Sequence, residues 1–154
     1  MTHTRFRWAA LAAVATLSSP VGSSAQASTQ MNFFVASQSA AFGADQPALV
    51  VADQVCATLG YGAGLGNLTW KAYLSEGRER ARDRIGSGPW YNYYGVLIAE
   101  SLAQLHSDEN NLWEESAVTE TGDYPPEGLA LPKGSELDGS LYTRAGPFFC
   151  FGLP

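Results

Sequence analysis

Downstream of residue 27 the chain has one imidazole, His106, and two sulfurs, Cys56 and Cys150, and these bound the chemistry it can do. Activating a hydroxyl needs an imidazole oriented by a carboxylate and placed beside the nucleophile. Around His106 the residue types are present: Asp108 or Glu109 as the acid, Ser101 or Ser107 as the nucleophile. Most chains of this size contain such a set, and nearness in sequence is not convergence in space. We therefore read the protein as a non-enzyme and keep a hydrolase with His106 as its base as an alternative. A tetrahedral zinc site is not expected, because one histidine and two oxidisable cysteines do not supply four ligands. Calcium takes oxygen ligands at short spacing, and Asp108-Glu109-Asn110-Asn111 offers four carboxylate or amide side chains. The EF-hand pattern is missing, however, and the run from Asp108 to Glu127 carries seven acidic residues with no Lys or Arg. A solvated acidic loop is the reading adopted, with no cofactor.

The sulfurs depend on compartment. Residues 1–27 have the form of a secretory signal peptide: Arg5 and Arg7, an uncharged stretch from Trp8 to Leu17, then small polar residues ending in Ala25-Gln26-Ala27. As a helix the apolar part reaches about 15 Å, roughly half of a hydrocarbon core, so cleavage fits better than anchoring. No other segment is long and apolar enough to span a membrane. Cleavage removes two arginines and no acid, which leaves seven basic residues against fifteen acidic ones, a net charge of −8. Such a field opposes general binding to nucleic acid or to anionic lipid. The expected location is secreted or periplasmic, where a disulfide forms and persists. Cys56 and Cys150 are the only possible pair. Two buried thiols are the rival, but neither cysteine lies in a C-x-x-C, and Cys150 sits within Phe148-Phe149-Cys150-Phe151.

Other candidates each have a plainer alternative. Arg78, Arg80, Arg82 and Arg84 would share one face of an extended segment and could grip sulfate or carboxylate. In a helix they would spread around it, with Glu76 supporting Arg80 at i,i+4. Glu76, Glu79 and Asp83 nearly cancel them, so a neutralised surface segment is expected. Trp90, Tyr91, Tyr93, Tyr94 and Trp113 could stack on sugar rings or could pack in the core and its rim. Gly60 to Gly66 is glycine-rich but follows a helical pattern and lacks a lysine, so it reads as a linker and not as a phosphate loop. Asn67-Leu68-Thr69 is a glycosylation sequon by pattern alone.

The elements that must position these groups are mixed α and β in one domain. Asn32 to Ala36 reads as a strand. Asp45 and Pro47 signal a helix start, and Leu49, Ala52, Val55, Cys56 and Leu59 recur on one helical face until Gly60 stops it. Thr69 to Ser75 alternates as a half-buried strand, with Trp70, Ala72 and Leu74 on one side. Gly95 to Ala99 fits a buried strand and Ser101 to His106 a helical turn, and periodicity leaves both open. Gly122 to Gly139 reads as loop, and Phe148 to Phe151 as a closing strand.

Met31-Asn32-Phe33-Phe34, Cys56, Thr69 to Ser75, Ala81 to Asn92, Asn110-Asn111-Leu112 and Phe149-Cys150-Phe151 together resemble one family of exported bacterial proteins with a C-type-lectin-like fold of the endostatin type. The resemblance runs in order across nearly all of residues 28–154, and Ala81 to Asn92 is its most specific part. It implies a single α+β domain whose first and last strands pair, with a cysteine on the first helix bonded to one on the last strand. Cys56 and Cys150 occupy those places. The chain departs from the family between Gly134 and Gly146, where members carry a longer segment with two further cysteines and a tryptophan-containing stretch. It also lacks the Glu-Pro-Asn and Trp-Asn-Asp of the sugar-binding lectins.

The expectation is a secreted or periplasmic recognition domain, lectin-like and with carbohydrate as its first ligand class, with Trp90, Tyr91, Asn92 and Trp113 as candidate ligand-binding residues. An extracellular protein is the other partner class. An exported structural protein without a ligand is a further alternative.

Overall fold

The computed structural model describes residues 27–41, 45–125 and 148–154. Residues 1–26 of the expected signal peptide lie outside them, as does the segment where the chain departs from the family pattern, and the loop expected over 122–139 is described only as far as Pro125. The architecture is α+β. In order come β1 (Phe33–Val35), α1 (Ala48–Gly62), β2 (Thr69–Ala72), α2 (Ala81–Arg84), β3 (Trp90–Tyr91), β4 (Leu97–Ala99), α3 (Leu102–Leu105) and β5 (Phe149–Leu153). One antiparallel sheet has the order β1-β5-β2 and a second pairs β3 with β4. The first and last strands therefore lie side by side, with Phe34 opposite Cys150.

The unbroken apolar run at the end of the chain follows from that order. A central strand covered on both faces has no polar side, so it reads as continuous hydrophobics instead of alternating ones. On one face Cys150 joins Phe34, Trp70, Ala72 and the apolar side of α1. On the other, Phe149 and Phe151 join Phe33, Val35, Ile85, Trp90 and Ile98. Successive side chains of β1 and β5 alternate between these two cores, as the period of two demands. Cys56, on the buried side of α1, is bonded to Cys150 and links positions 94 apart. The helical face expected from periodicity is present: Leu49, Ala52, Cys56 and Leu59 are buried, and Val55 packs against them half-buried.

Both expected ends of α1 are corrected. Asp45 does not cap it. Pro47 occupies the cap position and contributes no side-chain bond. The free amides of the first turn are satisfied instead from 28 residues away, where the Glu76 carboxylate accepts from the Ala48 N–H (3.0 Å) and the Leu49 N–H (3.4 Å). Glu76 is thereby removed from the i,i+4 role with Arg80. Gly60 does not stop the helix either. A Cβ at Gly60 would lie 2.2 Å from Trp70 Nε1, so this glycine admits the indole against the helix backbone while the helix continues to Gly62. Trp70 Nε1 then donates to the Leu65 carbonyl at 3.1 Å. Gly60→Ala is expected to destabilise the protein by about 1–3 kcal/mol through overpacking, measured as a lower midpoint in urea at an unchanged slope.

The arginine run is corrected as well. Arg84 is not a neutralised surface residue, since only 5% of its side chain is exposed. Its Nη2 meets Asp53 of α1 at 2.6 Å, its Nε meets Glu79 at 2.7 Å, and its Nη1 donates to the Ala72 carbonyl at 2.8 Å. Asp53 also accepts from Lys71 Nζ and from the Ala72 N–H, each at 2.9 Å. One carboxylate and one guanidinium thus join α1, β2 and α2. Arg78 and Arg80 are exposed and Arg82 is half-buried, so the four do not form a shared anion grip. No helix of the described residues is long and apolar enough to cross a membrane.

Candidate functional site

The four ligand-binding candidates separate. Trp90 is 1% exposed, and its ring meets Phe151 edge to face at 5.5 Å, so it is core and unavailable to a ligand. Tyr91 is half-buried in β3, its N–H bonded to Asn32 Oδ1 at 2.8 Å. Asn92 is also 1% exposed. Its Nδ2 donates to the Ser116 carbonyl at 3.0 Å, and its Oδ1 accepts from the N–H groups of Tyr94 (3.0 Å) and Val96 (2.9 Å). With both ends of the amide engaged and the residue enclosed, it is out of a ligand's reach. Asn92 is corrected from a contact residue to a scaffold residue. Only Trp113 of the four stands largely free.

Asn92 gathers a surface around itself. Through its Oδ1 it shapes the 92–96 turn between β3 and β4, and through its Nδ2 it holds the turn at 113–116. In that second turn Ser116 Oγ accepts from the Trp113 N–H (2.8 Å) and donates to the Asn111 carbonyl (2.6 Å). Asn111 is tied in turn to β4, its N–H to the Ile98 carbonyl and its Nδ2 to the Leu97 carbonyl. A third turn, 119–123, is joined by the Tyr94 hydroxyl, which donates to the Gly122 carbonyl at 2.8 Å. Gly122 has φ +83°, and a Cβ there would lie 2.6 Å from the Tyr93 ring, so conformation and space both require glycine. Three turns are held together in this way. From them project the large apolar side chains Tyr94 (60% exposed), Val96 (47%), Trp113 (55%) and Tyr124 (66%). Val96 and Tyr124 were not among the sequence candidates; Tyr124 sits in an Asp-Tyr-Pro-Pro run that reads simply as loop.

The catalytic set proposed around His106 does not form. His106 Nδ1 is 2.7 Å from the Leu102 carbonyl and Nε2 faces the Tyr73 hydroxyl. With Nδ1 as donor, Nε2 accepts the phenolic proton, and both nitrogens are occupied. Ser101 Oγ instead caps α3 by accepting from the Gln104 N–H, while Ser107 Oγ donates to the Gln104 carbonyl. Asp108 and Glu109 are exposed and bond to neither nitrogen. His106 fastens α3 to the end of β2.

Of the residues weighed for calcium, Asp108 and Glu109 are exposed and Asn110 is engaged elsewhere. Asn110 Nδ2 donates to the Ser107 carbonyl (2.6 Å) and its Oδ1 accepts from the Leu112 N–H (2.9 Å). Buried Glu120, within the acidic run, accepts from both the N–H and the hydroxyl of Ser37. Among the described residues no three His, Cys, Asp or Glu side chains gather as a metal-binding set. Asn67 of the sequon lies exposed in the turn after α1.

Comparison of the chain with protein-family models, with curated proteins and with solved structures finds no match.

Proposed function

We propose that this protein is an exported recognition domain of C-type-lectin-like architecture, that it binds carbohydrate through Tyr94, Val96, Trp113 and Tyr124, and that it carries out no chemistry. One observation carries the reading: four large apolar side chains stand in solvent on three turns, two of them fastened to the buried Asn92 amide and the third tied to these through the Tyr94 hydroxyl. Soluble domains seldom expose such side chains together, and when they do the patch marks an interaction site. Fixed backbones lower the ordering cost of binding, and flat aromatic faces suit the C–H faces of sugar rings. The lectin-like architecture is supported by the pairing of β1 with β5 and by the bridge from α1 to β5. Export is supported by the residue pattern of 1–27 and by that bridge, which an oxidising compartment preserves.

Titration calorimetry against neutral oligosaccharides tests the proposal. Binding is expected with or without chelator. Trp113→Ala is expected to weaken it about 30-fold, the loss of roughly 2 kcal/mol typical of a tryptophan anchor. Stability should change little, because the side chain is mostly exposed. No binding to any glycan, or full affinity in both Trp113→Ala and Tyr124→Ala, would show the reading to be wrong.

A further inference from the structure

We infer that the sugar chain taken by this surface is positively charged, a polymer of amino sugars with free amines; the inference rests on the carbohydrate reading above. Its basis is the sign of the charge around the aromatic side chains. Trp113 is followed directly by Glu114 and Glu115, and Tyr124 is preceded by Asp123, all exposed. From residue 85 to 125 the chain has seven acidic residues and no Lys or Arg. Every basic residue among the described residues lies between Lys71 and Arg84. All three ion pairs of the described residues lie within Asp53, Lys71, Glu79 and Arg84, so Glu114, Glu115 and Asp123 have no cationic partner among those residues. Among the described residues they place negative charge, without a paired cation, next in sequence to the exposed Trp113 and Tyr124 rings.

Each class of sugar meets that charge differently. A uronic or sulfated chain is repelled as it approaches. A neutral chain gains ring contact alone. A protonated amine gains the same contact, an ion pair with the flanking carboxylates, and attraction to the aromatic face, which is strongest for tryptophan. The surface therefore selects by charge, with Trp113 as platform and Glu114 and Glu115 as selector.

The test titrates the full protein with three hexamers of equal length, of glucosamine, of N-acetylglucosamine and of galacturonic acid, in a buffer that protonates the free amine. The glucosamine hexamer is expected to bind on the order of tenfold more tightly than its N-acetylated counterpart at about 50 mM salt. At about 200 mM salt the advantage is expected to shrink severalfold. The acidic hexamer is expected not to bind. Glu114→Gln with Glu115→Gln should reduce the preference to about twofold while leaving affinity for the N-acetylated hexamer unchanged, and Trp113→Ala should weaken both. If the three hexamers bind alike, or the preference survives the double glutamine variant, charge selection is overturned and the carbohydrate reading stands. If hexalysine binds as tightly as the amine hexamer and is indifferent to Trp113→Ala, the surface is a plain cation attractor and the inference fails. If no hexamer binds, the carbohydrate reading itself has failed.

Discussion

Replacing Cys56 and Cys150 together with alanine is expected to lower the unfolding free energy by about 4–5 kcal/mol. The bridge closes a loop of 94 positions, and releasing it returns to the unfolded chain the freedom that closure had removed. For a domain of this size that corresponds to a fall in Tm of roughly 15 °C. Local packing contributes in the same direction. Cys56 and Cys150 are both fully buried, between α1 and the central strand, so truncation also removes contacts from the core that holds Phe34 and Trp70. Reductant should reproduce most of the effect in the unsubstituted protein once the chain opens enough to admit it. Parallel thermal and urea melts of the oxidised, reduced and double-alanine forms check this. A loss below about 1 kcal/mol in the double-alanine form would mean that the fold holds its long closure by packing alone. Two alkylatable thiols in the native protein would mean that the bridge does not exist.

Asp53→Ala is expected to cost about 3–5 kcal/mol, a large loss for a residue on a helix that keeps its periodic face intact. The cause is the partner left behind. Arg84 is almost wholly enclosed, and without Asp53 its charge is buried opposite only Glu79, whose side chain is 58% exposed. The Ala72 N–H loses its acceptor as well. Substituting both members, Asp53→Ala with Arg84→Met, should restore a substantial part of the loss, because a buried pair contributes much less than the penalty for orphaning one charge. Lys71→Ala should cost under about 1 kcal/mol, since Lys71 reaches the same carboxylate from a side chain that is 34% exposed. Urea denaturation of these variants, with the parent and Arg84→Met alone, closes the Asp53–Arg84 double-mutant cycle. Equal small losses for Asp53→Ala and Lys71→Ala would show that the guanidinium is solvated and that the network contributes little to the fold.

Both effects depend on contacts across long stretches of sequence, and the two were not equally legible. The cysteine pair could be named because only two cysteines exist. The helical face of α1 and the strands at Phe33, Trp70 and Phe149 could be placed because burial imposes a period of 3.6 or 2 on the chain. Where periodicity left both open, the structure contains both: a strand at Leu97–Ala99 and a short helix at Leu102–Leu105. Arg84 looked like one of four interchangeable cations, since its burial depends on Asp53, 31 positions earlier. Trp90 and Trp113 looked alike as possible platforms, yet one fills the core and the other stands in solvent, because Phe151 lies over the first.

By itself, the sequence of this protein determined an α+β domain, a bridge between its only two cysteines, a strongly acidic balance and the core faces of its main elements. Each of these is local or is a matter of counting. Tertiary structure alone decided that Glu76 caps α1, that Arg84 is enclosed, that Asn92 fastens two turns instead of touching a ligand, and that His106 binds Tyr73 and a carbonyl instead of a carboxylate. The physical reason is the same in every case. A polar side chain has a few directed bonds to make, and which of them it makes depends on what the closed chain brings within about 3 Å, a distance that no pattern along the sequence encodes.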